Sequence, residues 1–117
     1  MLRVTLYSDF TCPYCYLVER STLPRLAADF GGIEIDWQPF EVEPGGPPDG
    51  VPPVRSWYEA FAERAAELGL TRYHVPSWVP DTSRVMALAE YAREHGALEA
   101  LRERAMVSYW EEEQNLD

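Results

Sequence analysis

Positive charge is scarce in this sequence: 10 lysines and arginines stand against 20 aspartates and glutamates, for a formal net charge of −10 at pH 7. The average surface would repel a polyphosphate, which excludes nucleic acid as the expected partner. Long apolar runs are also missing. No stretch approaches the ~18 consecutive apolar residues of a membrane span. Met1-Leu2-Arg3-Val4 runs directly into a strand-like pattern, without the apolar core of a signal peptide. A soluble, cytoplasmic protein with no membrane association is the expectation. No internal repeat occurs, and low complexity is confined to one Pro/Gly run. Cysteine is limited to two residues, Cys12 and Cys15, in a single C-x-x-C. That spacing restricts them to redox chemistry or to half of a metal site. What remains is ordinary globular usage, 46% hydrophobic and 13% aromatic over 117 residues, which suits one domain spanning residues 1–117.

Residues 2–8 alternate apolar and polar side chains at the period of two that a half-buried strand needs. Ile33-Glu34-Ile35-Asp36-Trp37-Gln38 alternates in the same way, with one acidic face that suits a sheet edge. Between them Leu23, Leu26, Ala27 and Phe30 fall on one helical stripe that Gly31-Gly32 terminates. Pro24 lies inside this pattern and predicts a kink or break. Strand, helix and strand make a parallel βαβ unit over residues 1–43 that carries the cysteines at the helix start. Residues 44–53 are too rich in proline and glycine to be anything but loop. Residues 54–117 then read as all helix. Trp57, Phe61, Ala65 and Leu68 form one stripe, which Gly69 ends. Val85, Leu88, Ala89 and Ala92 form a second, capped by Asp81 or Thr82 and closed by Gly96. Leu98, Leu101, Ala105 and Tyr109 form a third. The fold class is therefore α/β, a βαβ unit with an all-helical insertion. Two parallel strands make a poor complete sheet, so the sheet is expected to be incomplete in this chain.

Cys12-Pro13-Tyr14-Cys15 follows the first strand by a short turn and opens the helix, with Cys12 at the N-cap and Pro13 at the first helical position. Free amide donors and the helix dipole there favour a thiolate on Cys12, the nucleophile of thiol–disulfide exchange. Cys15, one turn on, is placed to resolve a mixed disulfide. Inert packing thiols and a zinc half-site are the alternatives. His74 and His95 have no ligand spacing to the cysteines or to each other, so no metal is expected. Phe10, Pro13, Tyr14 and Tyr16 are candidates to shape the substrate's approach. Phe10 and Tyr16 read either as substrate contacts or as packing.

A strand–turn–helix carrying this tetrapeptide resembles the thioredoxin superfamily. Residues 9–16, then Trp37-Gln38-Pro39-Phe40-Glu41-Val42-Glu43-Pro44 and Gly50, then Pro80-Asp81-Thr82, and the closing segment 106–117, together resemble the DsbA-like family of the FrnE type. Val18 departs from a frequent glycine of that family and Tyr14 from a frequent tryptophan. Both departures bear on substrate or potential rather than on the reaction. The resemblance implies a longer relative whose chain returns to the sheet with a cis-proline loop and two further strands. Val75-Pro76 and Val79-Pro80 are not that loop, since a helix cap and a helical stripe follow them.

The resemblance implies a disulfide oxidoreductase acting on protein or small-thiol disulfides, with no bound cofactor and with glutathione as a candidate co-substrate. A glutathione-dependent isomerase of an aromatic or polyketide-like compound is a second reading, because FrnE-type chains resemble hydroxychromene-carboxylate isomerases. That chemistry needs no resolving cysteine, so Cys15 favours redox. A third reading is a non-catalytic module whose strand edge pairs with another chain. An incomplete sheet predicts either a homo-oligomer or completion by a missing C-terminal segment.

Overall fold

The computed structural model describes residues 2–42 and 55–117, with the backbone only at 55–57. The Pro/Gly loop expected at 44–53 and the Trp57 side chain lie outside the described residues, as do Glu43, Pro44 and Gly50 of the family resemblance.

Alternation produces the two strands. In β1 (Leu2–Ser8) the side chains of Leu2, Val4 and Leu6 turn inward while Arg3, Thr5 and Tyr7 face solvent. β2 (Ile33–Pro39) repeats the pattern and ends on the fully buried Trp37 before Gln38 and Pro39. The strands pair in parallel, in a register that runs from Leu2 opposite Ile33 to Ser8 opposite Pro39. Among the described residues the sheet holds these two strands, so the mixed α/β fold carries the incomplete sheet that its pattern predicts.

The crossover helix is built in pieces. α1 (Pro13–Leu17) runs into a π-helical turn (Val18–Thr22), and α2 (Leu23–Asp29) resumes from it. The break expected at Pro24 thus falls just ahead of it. Proline has no amide hydrogen, and in the first turn of α2 none is required. Gly31 and Gly32 then take φ of 68° and 116°, a region that disfavours any side chain, and turn the chain into β2.

α3 (Arg55–Glu67), α4 (Ser83–Glu94) and α5 (Leu98–Trp110) are the helical layer. Asp81 accepts the Ser83 amide at 2.9 Å and so caps α4, although Thr82 occupies the N-cap position. Val75-Pro76 and Val79-Pro80 lie in the connection between α3 and α4, with trans peptides. That connection is tied to the end of α5 by the His74 amide on the Trp110 carbonyl (2.8 Å) and the Tyr109 hydroxyl on the Trp78 carbonyl (2.9 Å).

Two predicted core positions are corrected. Leu88 is 49% exposed, because the buried arc of α4 is centred on Val85, Met86 and Ala89 and leaves Leu88 at its rim. Phe30 is 56% exposed, because it is the C-cap of α2 and helical periodicity has ended there. The core itself is aromatic. Phe10 stacks on Trp37 at 5.4 Å, and Trp110 meets Tyr16, Tyr58, Phe61 and Tyr73. The Trp110 indole donates to the Phe10 carbonyl at 2.8 Å, which fixes α5 on the turn that leads to the cysteines.

Candidate active site

The turn between β1 and α1 is organised by Asp9, a carboxylate that is only 2% exposed. One of its oxygens accepts both the amide and the hydroxyl of Thr11, each at 3.1 Å, as aspartate does in local turns. The other accepts the Val42 amide at 2.9 Å and so pins the exit from β2 beside the same turn. The Cys12 amide donates to the Asp9 carbonyl at 3.2 Å, and the Cys12 carbonyl in turn accepts the Tyr16 amide. Cys12 is the N-cap of α1, extended at φ −88° and ψ 120°, with Pro13 at the first helical position.

Both sulfurs are half-buried and not bonded to each other. Their environments drive them apart. A hydrogen bond from the Cys15 thiol is the largest influence on Cys12, and the Cys15 and Tyr14 backbone amides add to it. Against burial and the Asp9 charge, these donors bring Cys12 from an ordinary 9.0 down to about 6. Cys15 moves the opposite way: it gives its hydrogen to Cys12 and is partly desolvated, so its thiol is pushed far up despite opposing contacts with the Asp9 backbone and the Ser8 hydroxyl. At neutral pH the pair holds one thiolate and one thiol, the former at a helix start and the latter packed against the core.

Among the residues expected to shape the approach, Tyr14 is 72% exposed and meets Phe61 edge-on at 5.6 Å, and Pro13 is half-buried beside Cys12. Phe10 and Tyr16 are placed elsewhere. Both are buried in the aromatic core, so neither presents a surface to a partner; packing against Trp37 and Trp110 takes them instead. Four residues escaped the sequence reading. Asp9 holds the turn, and Tyr58 lies within the field of Cys12, whose charge adds to burial in pushing the phenol up. Ser8, whose hydroxyl opposes the rise at Cys15, donates to Glu19 at 3.4 Å. Only Asp9, two residues before Thr11, carried a local signal, that of an aspartate turn. Among the described residues no group of three or more His, Cys, Asp or Glu is arranged to hold a metal, and no helix is long and apolar enough to cross a membrane.

A model of the DSBA-like thioredoxin domain matches residues 3–117. The chain belongs to this family. The uncharacterized protein YwbO of Bacillus subtilis is 23% identical over 123 residues, which cover 98% of this chain and 60% of that protein. The crystal structure of a probable DsbA oxidoreductase from Streptomyces coelicolor superposes with a TM-score of 0.80 at 26% identity, covering 99% of this chain and 57% of that one. The DsbA-like domain described above thus spans about three fifths of the length of these relatives. Its fold is the thioredoxin-like α/β arrangement, present with two strands among the described residues.

Proposed function

We propose that the chain is a thiol–disulfide oxidoreductase in which Cys12 attacks and Cys15 resolves. The observation that carries this reading is geometric: Cys12 stands at the N-cap of α1 ahead of the first-turn Pro13, with Cys15 one turn on, an arrangement that displaces the two thiols in opposite directions, Cys12 down to about 6 and Cys15 far upward. The Cys12 thiolate attacks one sulfur of a disulfide, that S–S bond breaks, and half of the partner leaves as a thiolate. Cys15 then gives up its proton and attacks the Cys12 sulfur, which expels the second half. The partner gains two electrons and the chain retains a Cys12–Cys15 disulfide; the reverse sequence oxidises a dithiol.

Protein or small-thiol disulfides are the proposed substrates, with glutathione as co-substrate and the cytoplasm as the compartment. Tyr14 and Pro13 would flank the incoming disulfide. Residues 37–42 and 80–82 support the FrnE-type branch, and the open edge of β1 among the described residues supports pairing with a second copy or with a further segment of chain. Substitution separates the roles. Cys15→Ser should accumulate mixed disulfides with a peptide disulfide, and Cys12→Ser should form none. Absence of reduction by wild type, with no mixed disulfide in Cys15→Ser, would remove the proposal and leave a non-catalytic module.

A further inference from the structure

A strand at the rim of a sheet carries amides and carbonyls on which another extended chain can pair, so each rim must be closed, kept short or used. The Phe40 amide donates to the Ser8 carbonyl at 3.0 Å, which continues the ladder in which Ser8 stands opposite Pro39. In a parallel pair both backbone groups of a strand residue point to the same side, and successive residues alternate. Glu34, Asp36, Gln38 and Phe40 therefore face β1, whereas Ile33, Ile35, Trp37 and Pro39 face away from it and form the outer rim of β2. On β1 the same alternation leaves Arg3, Thr5 and Tyr7 on the opposite rim.

Two features close the outer rim of β2 at its C-terminal end. Pro39 has no amide hydrogen, so it offers no donor where a neighbouring strand would need one. Two residues earlier, the Trp37 carbonyl accepts a hydrogen bond from Arg93 Nη2 of α4. The rest of the guanidinium is held as well: its Nε donates to Glu90 Oε2 at 3.2 Å within α4, and its Nη1 lies 4.0 Å from Asp36 Oδ1 on β2. The Arg93 side chain is 32% exposed, so it bridges helix and strand at the margin of the core rather than inside it. Among the described residues only Ile33 and Ile35 then keep open groups on this rim, and two residues are too short a run for a stable strand pair. On the other rim, among the described residues, no side chain is hydrogen-bonded to the backbone of Arg3, Thr5 or Tyr7.

We propose that Arg93 is a guard on the sheet: it closes the outer rim of β2 against strand pairing with a second copy of this chain, and so confines growth of the sheet to the rim of β1. The partner kept out is a second copy because its own β2 presents the same rim, and two such rims meet antiparallel about a two-fold axis. Release of Arg93 adds the Trp37 amide and carbonyl to those of Ile33 and Ile35, and with them enough continuous backbone for such a pair. The guard needs neither cysteine, so it goes beyond the disulfide-exchange reading and does not rest on it.

The full chain, kept reduced, serves for the test. Amide exchange is read residue by residue by nuclear magnetic resonance at total concentrations from about 10 μM to about 500 μM, alongside particle mass from light scattering. In wild type the Ile35 and Trp37 amides should exchange at rates that do not change with concentration, and any slowing that grows with concentration should fall at Arg3, Thr5 and Tyr7. In Arg93→Ala, and in Arg93→Met, which keeps the packing of the aliphatic stem, Ile35 and Trp37 should slow about tenfold or more at the highest concentration as the particle mass rises above that of wild type. Adding Pro39→Ala to Arg93→Ala should lower the concentration required by up to about tenfold, as one further hydrogen bond would. Concentration-dependent slowing at Ile35 and Trp37 in wild type would overturn the guard. So would the same mass and exchange in wild type and in both Arg93 variants, or a rise in their mass with no slowing at Ile35 and Trp37. Should Arg93→Ala fail to fold, wild type and Arg93→Met decide between these outcomes.

Discussion

The reactivity of Cys12 should cross that of an ordinary thiol as pH changes. At about pH 7 a thiol titrating near 6 is about 90% ionised, against about 1% for one at 9.0, a gain of roughly 90-fold in thiolate. Nucleophilicity falls with basicity at a Brønsted slope of about 0.4–0.5, which from 9.0 down to about 6 removes a factor of roughly 20. Alkylation of Cys12 by iodoacetamide should therefore exceed that of a model thiol with the ordinary value by ~4-fold at about pH 7 and by ~35-fold at about pH 5.5. At about pH 8.5 it should be ~5-fold slower. Limiting reagent with peptide mapping identifies the labelled residue, and the rate against pH gives its midpoint. Cys15, which keeps its proton over this range, should be labelled late. A midpoint near 9, a uniform advantage over the model thiol, or first labelling at Cys15 would refute the hydrogen-bonding argument.

Three other outcomes follow from the packing and charges. Arg102→Met leaves Glu19 charged and unpaired in a buried place, so it should cost about 3–5 kcal/mol in urea denaturation, with much of the loss recovered on adding Glu19→Gln. Trp110→Phe keeps the ring packing but leaves the buried Phe10 carbonyl without its donor, and should cost about 1–3 kcal/mol, with a lower urea midpoint and an unchanged slope. Because Cys12 is depressed in the folded chain, its contribution to stability is absent below about pH 6, grows as pH rises and is complete above 9.0, the ordinary value. The stability of the reduced wild type relative to Cys12→Ser should rise across that window by up to about 1.4 kcal/mol per pH unit. A flat difference in thermal or urea unfolding would contradict the depressed value.

What could be read from residues in order was local. The period of two in residues 2–8 and 33–38 gives both strands, and Cys12 with Pro13 after a strand gives the helix start, because each pattern lies within one element. Phe10 and Tyr16 could not be assigned in this way. An aromatic beside the motif looks the same whether it faces substrate or core, and Phe10 is fixed by Trp110, 100 residues further along the chain. Glu19 reads as an ordinary surface acid until Arg102, 83 residues away, is brought against it. The π-helical turn had only Pro24 as a signal, which located a break but not its form. Ser8 was legible as the end of a strand, while its influence on Cys15 depends on how the strand and the helix cross.

The central claim is that Cys12 and Cys15 act together as a two-electron couple. It is tested most directly by equilibrating the purified chain with glutathione buffers of graded potential, quenching with acid and counting free thiols by mass. The account predicts a single transition between dithiol and internal disulfide with a two-electron slope, loss of that transition in both Cys12→Ser and Cys15→Ser, and a stable glutathione adduct on Cys12 in Cys15→Ser. Two independent one-electron-equivalent adducts on the cysteines of the wild type, with no internal disulfide at any potential, would contradict it.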